Sequence, residues 1–155
     1  FDAIDFSESK LKVLHEGTCK GRLVGGNLTL VVSTLGTPYE IDTTDAILFL
    51  EEVSEEPYKI DRMLTQLWLA GKLQTCKGIA LGRFKDCERL RNPDFKVSFS
   101  LEQVLRERIS SLGIPAVYGL PIGHIKSKMT VPIGTMASLD AEKGKLSILE
   151  PSVTM

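Results

Sequence analysis

Residues 46–50 read AILFL, an unbroken apolar row followed at once by two acids, Glu51 and Glu52. A run this short and this apolar fits a buried strand. The strand end would emerge at the protein surface at the two glutamates. Burying it needs a real core, which a chain of 155 residues can build without staples. Alternation along a strand turns Glu51 and Glu52 to opposite sides, so only one can be the inner acid. One reading is a solvated strand end. The other is an acid held at a sheet edge and oriented to hydrogen-bond a histidine.

The rest of the chain supplies the layers. KLKVLHEGTCKGRLVGGN gives two short strands around a turn, one through Leu11 and Val13 and one through Leu23 and Val24. Asn27 can cap a short apolar helix that Gly36 and Pro38 stop. In EEPYKIDRMLTQLWLAGKL, Pro57 suits the first turn of a helix and Glu55 and Glu56 suit its positive end. Ile60, Met63, Leu64 and Leu67 form its apolar face, and Gly71 ends it. GIALGRF is a further strand, and residues 85–99 are charged and irregular, which predicts a surface loop. Ser100 caps a second substantial helix with Gln103 as its capping-box partner, and Leu101, Val104, Leu105, Ile109 and Leu112 are its core stripe. IPAVYGL, MTVPIGTMASLDA and KLSILEP are strand-like with turns between them. Many short strands and two main helices, without strict strand–helix alternation, predict a compact α/β domain on a mixed sheet or partial barrel.

Composition removes several functions. Nineteen basic residues against twenty acidic ones give no electrostatic case for nucleic acid or an anionic membrane surface. No apolar run approaches the roughly 20 residues of a spanning helix. Cys19, Cys76 and Cys87 are odd in number and lack CxxC spacing, and there are two histidines. Neither a disulfide framework nor a zinc site follows, and reduced thiols in a cytoplasmic protein do. No cofactor motif is present: LVGGNL is neither a GxGxxG nor a GxxxxGK[ST] loop, and its glycine pair reads as a tight turn. The opening FDAIDFSESKLKV has no initiator methionine and no signal pattern, as in a fragment, an excised domain or a processed product.

The chemistry centres on His124, in GLPIGHIKSKMTVPIG. An isolated loop histidine is commonly a surface residue. Here Gly123 lets the backbone bend sharply and leaves room for a ligand to approach. The flanking prolines and glycines fix a loop between strands, where rigid scaffolds carry functional groups. Asp61 and Arg62, adjacent on the first main helix, read either as a salt-bridged surface face or as support for a site. There is no GxSxG elbow, the cysteines have no nearby base in sequence, and Ser127 has no special context. An acid, Glu51, and a base, His124, are therefore candidates, and a nucleophile is not.

Taken in order, LVGGNL, LGTPYE, AILFLEEVSEEPYKIDRMLTQL, GIALGRF, GLPIGH, VPIGTMASLDA and a terminal LEP closely resemble the C-terminal domain of the LD-carboxypeptidase family of serine peptidases, which includes the microcin immunity proteins. The resemblance covers nearly the whole of residues 1–155. It implies a swivelling β/β/α domain and a Ser-Glu-His triad whose serine lies in an N-terminal domain outside this sequence. It implies that Glu51, in FLEEV, is the acid and His124, in GLPIGH, the base. It implies a cytoplasmic enzyme, often dimeric, that needs no metal. Such an enzyme removes the terminal D-alanine of a murein tetrapeptide at an L,D bond, in peptidoglycan recycling. The N-terminal nucleophile domain, the peptide substrate and a second copy are thus the implied partners, and the isolated domain is expected to be inert. Two positions depart from the pattern: Ile125 stands where glycine is common, and Glu52 stands where aspartate is common on the side facing away. Asn27, beside two glycines, is the candidate for substrate binding. The alternatives are an immunity-type peptidase acting on aminoacyl-nucleotide conjugates and a binding module without catalysis.

Overall fold

The computed structural model describes residues 11–88 and 98–153. Among them are β1 (Lys12–His15), β2 (Thr18–Asn27), α1 (Leu28–Ser33), β3 (Ile47–Val53), α2 (Pro57–Leu69), β4 (Gly78–Lys85), α3 (Leu101–Ser110), β5 (Ala116–Tyr118), β6 (Met136–Asp140) and β7 (Lys145–Ile148). The strands form one seven-stranded sheet in the order β1-β5-β4-β3-β2-β6-β7.

β3 lies at the centre, paired in parallel with β2 on one side and β4 on the other. Its apolar run is continuous because both faces are covered. Leu48 and Leu50 join one core, with the buried faces of α1, α2 and α3. Ile47 and Phe49 join a second core with Ala80 and Val117 and with Ala137, Leu139 and Leu146 from β6 and β7. The sheet therefore curls on itself, as a half-barrel, and the helices pack on its outer face. At the centre strand and helix do alternate, from β2 through α1, β3, α2, β4 and α3 to β5. The winding is single, because all three helices contribute to the same core. Antiparallel pairs flank this centre: β1 on β5, and β6 on β2 and β7.

The helix ends follow local chemistry. Asn27 caps α1, its side chain accepting from the Leu30 amide. Pro57 opens α2, and Gly71 follows its end at a φ of 74°. Ser100 and Gln103 form a complete capping box on α3. Asp61 reaches Arg108 of α3 at 2.5 Å and Arg62 reaches Gln66, so this pair of charges serves the helix surface.

Four expectations change. The first two strands exist but do not pair with each other: β1 pairs with β5, and β2 with β3 and β6. The glycine pair Gly25–Gly26 lies inside β2 rather than in a turn. Residues 129–135 form no strand; Met129 and Val131 pack against the inner core from a loop. The end of β3 does not emerge into solvent, for Glu51 and Glu52 are both buried. Alternation does turn them apart, and with both sheet faces covered each is buried on its own side. Of the loop expected at residues 85–99, residues 89–97 lie outside the described residues.

Candidate active site

The parallel strands β2, β3 and β4 run in one direction; Asn27 and Glu51 lie at the carboxyl ends of β2 and β3, with Gly82 alongside in the middle of β4. In open α/β sheets this is the edge where ligands are bound. The segment 119–135, between β5 and β6, crosses there. β4 fixes its start: the Leu81 carbonyl accepts from the amides of Gly119 (3.0 Å) and Leu120 (3.1 Å), and the Arg83 amide donates to the Ile122 carbonyl (2.9 Å). β2 fixes its end, with the Gly134 amide on the Leu23 carbonyl (2.8 Å) and the Leu23 amide on the Thr135 carbonyl (2.9 Å). Between these anchors the Ile125 amide donates to the Gly123 carbonyl at 2.9 Å, a tight turn that presents His124.

His124 Nδ1 lies 2.8 Å from Glu51 Oε2. The Glu51 side chain is 8% exposed and that of His124 is 56% exposed. A carboxylate offers only lone pairs, so the ring donates Nδ1–H and keeps Nε2 as an acceptor. The buried acid orients the ring, and the exposed ring can take a proton from a group brought to it. Among the described residues no serine, threonine or cysteine hydrogen-bonds the ring. The thiols are poor candidates in any case: burial pushes Cys76 up to about 12 and Cys87 up to about 11. Among the described residues no three histidine, cysteine or acidic side chains gather as a metal site.

Two glycines make room for the acid. The β3–β4 register slips between Leu50 and Glu52, so Glu51 faces the backbone around Gly82. A Cβ on Gly82 would stand 2.5 Å from the Ile122 carbonyl oxygen and 3.2 Å from Glu51 Cβ. One on Gly123 would stand 2.6 Å from Glu51 Oε2. The space that Gly123 opens is thus taken by the Glu51 carboxylate and not by a ligand. Gly82 was missed in the sequence, although an isolated glycine within a strand pattern signals a bulge or a close approach.

Glu52 turns to the other face, where it is 2% exposed. Its Oε1 accepts from Asn27 Nδ2 (2.9 Å) and the Val53 amide (2.9 Å). Its Oε2 accepts from the Thr29 amide (2.8 Å) and the Thr29 hydroxyl (2.7 Å). Asn27, the candidate for substrate binding, stands opposite Glu51 in the β2–β3 register. Its amide is engaged within the chain at both ends, with Oδ1 on the Leu30 amide and Nδ2 on Glu52. On the loop, Ile125 is half-buried beside the ring, and Lys126 and Lys128 are exposed.

Residues 20–139 match the family model described as LD-carboxypeptidase C-terminal domain. The chain is 46% identical over 146 residues to the probable murein peptide carboxypeptidase of Bacillus subtilis, covering 94% of this chain and 44% of that protein. It is 32% identical over 130 residues to the murein tetrapeptide carboxypeptidase of Pseudomonas aeruginosa, covering 83% and 41%. The crystal structure of muramoyltetrapeptide carboxypeptidase from Oxalobacter formigenes superposes with a TM-score of 0.74 at 37% identity, over 89% of this chain and 47% of that one. The microcin C7 self-immunity protein MccF shares the fold, with a TM-score of 0.78 at 23% identity over 94% and 42%. The chain spans less than half the length of each of these relatives. By the match over residues 20–139, the chain belongs to the LD-carboxypeptidase family, as its C-terminal domain.

Proposed function

We propose that this chain supplies the acid and the base of a serine carboxypeptidase that removes the terminal D-alanine from a murein tetrapeptide. The serine and its oxyanion donors come from an N-terminal domain that completes the longer protein. One observation carries the reading: an exposed imidazole held at Nδ1 by a buried carboxylate, 2.8 Å away. In this mechanism His124 takes the serine proton as the hydroxyl attacks the carbonyl of the L-centre. It then delivers that proton to the departing D-alanine amine. Glu51 holds the tautomer and stabilises the imidazolium formed between the two steps. Lys126 and Lys128 follow His124 on the same loop, and residues 119–135 contain no acid, which suits a peptide substrate bearing carboxylates.

The test is His124→Ala in the longer protein. Turnover of murein tetrapeptide should fall by about a thousand-fold or more, since triad members act as a unit. Near-normal turnover would sink the assignment. The isolated chain should release no D-alanine, because it offers a base without an attacking oxygen, and measurable release would contradict this.

A peptidase acting on aminoacyl-nucleotide conjugates is the second reading. The microcin self-immunity protein of Escherichia coli aligns over 96% of the chain at 26% identity, and MccF has been crystallised with aspartyl sulfamoyl adenosine. Identity of 46% to a probable murein peptide carboxypeptidase supports the murein reading over this one. Turnover of the conjugate without turnover of the tetrapeptide would reverse that order.

A further inference from the structure

We propose that Glu52 is a positioning residue for the Glu51–His124 pair, a proposal that rests on reading that pair as acid and base. The carboxylate of Glu51 has one hydrogen-bond partner among the described residues, His124. Among the described residues no second donor fixes its orientation. Its direction is inherited from the backbone at the end of β3, and there the ladder to β4 slips between Leu50 and Glu52. The ladder resumes only at Glu52 opposite Phe84, so Glu51 sits at the slip itself, and the Glu52 side chain adds an anchor directly beside it. Its four bonds tie residue 52 to the first turn of α1 through Thr29, to the last residue of β2 through Asn27, and to the next amide of its own strand. Asn27 in turn stands opposite Glu51 across the β2–β3 ladder. Glu52 thus grips the strand from the outer face, and Glu51 reaches His124 from the inner one.

The site is specific for a carboxylate. Two of the four partners are backbone N–H groups, one on each oxygen, and a third is the Asn27 amide. A side-chain NH2 at either oxygen position would meet a backbone donor. Glu52→Gln keeps the shape and forces that clash, which frees the strand end to shift.

The chain holds two histidines, so ring-nitrogen NMR resolves both. With both rings neutral, the 15N shifts of His124 report its ratio of Nδ1–H to Nε2–H tautomer. His15, whose Nδ1 faces the Glu16 carbonyl at 2.9 Å, is the internal reference. Glu52→Gln should lower the His124 ratio by about tenfold, the loss of one hydrogen bond to a charged group, and leave His15 unchanged. Thr29→Val removes one of the four bonds and should lower it in the same direction by about two- to threefold. Ile109→Val, a core change on α3, which packs against β1 at the sheet edge, should leave it where it is in the parent chain. An unchanged ratio in folded Glu52→Gln overturns the proposal, and so does an equal shift in Ile109→Val. Should Glu52→Gln fail to fold, an unchanged ratio in Thr29→Val overturns it. Glu51→Ala tests the underlying pair separately: if it leaves the His124 ratio intact, the acid–base reading fails on its own account.

Discussion

Glu51 Oε2 occupies the place where a side chain on Gly123 would begin, since a Cβ there would lie 2.6 Å from it. Gly123 also holds a φ of 119°, a conformation that side chains rarely adopt. Gly123→Ala is therefore expected to push the acid and the histidine turn apart. The variant should lose about 1–3 kcal/mol of stability in a denaturant titration. In the longer protein its turnover should fall toward that of His124→Ala. A crystal structure of the variant with the Nδ1–Oε2 distance still at 2.8 Å would refute the steric account.

The buried thiols give an alkaline prediction. Burial moves Cys76 from its ordinary 9.0 up to about 12. Between those values the folded chain keeps a proton that the unfolded chain releases, so the stability this thiol contributes is present below pH 9 and lost as the pH rises toward 12. Urea midpoints measured across that range should decline, and Cys76→Ala should show a shallower decline than the parent chain. Equal slopes in the two would show that Cys76 does not carry the effect.

Helix α2 offers a paired test of packing. Leu64 is 0% exposed and Leu69 is 73% exposed on the same helix. Leu64→Ala should cost about 2–5 kcal/mol, by lost burial and the cavity left behind. Leu69→Ala should stay within about 0.5 kcal/mol of the parent. Thermal or chemical melts read both, and similar losses at the two positions would contradict the packing described for α2.

The capping box predicts a local cost. The Ser100 hydroxyl accepts from the Gln103 amide at 3.2 Å, and Gln103 Oε1 accepts from the Ser100 amide at 2.8 Å. Ser100→Ala should destabilise the chain by about 1 kcal/mol, and Ser100→Asp, which keeps an acceptor, by much less. Hydrogen exchange at the first turn of α3 should rise in the alanine variant and not in the aspartate variant.

How legible these features were depends on how local their causes are. The start of α3 could be read in sequence because a capping box spans four consecutive positions, whereas Leu112, expected on the helix stripe, packs on the core from the turn after it. Leu48 and Leu50 could be read as buried, but not as facing a different core from Ile47 and Phe49, since that depends on what covers each side of the sheet. Residues 129–135 were read as strand-like for their alternating apolar residues. In the fold, Met129 and Val131 satisfy that alternation by covering the inner core from a loop. The two glutamates show the limit most clearly. Their opposite directions follow from alternation alone, yet the burial of Glu52 depends on Asn27 and Thr29, which arrive through the parallel pairing of β2 with β3. Gly82 as an isolated strand glycine signalled a close approach, but what approaches it, Glu51, follows from a slip between two strands that neither encodes by itself.

The strand order also governs how the molecule comes together. β1 precedes the other described strands in sequence but lies at one edge of the sheet, where its partner is β5, with Val13 opposite Val117. During synthesis it must wait while β2, β3 and β4 assemble with their helices, and only β5 gives it a place. His124 follows β5 directly, so it meets Glu51 across 73 positions at the same late stage. Closing loops of that length is slow, and the pairing they reward is non-local. The signal of His124 held against Glu51 should therefore develop in the last kinetic phase of refolding, after the α2 core is already protected.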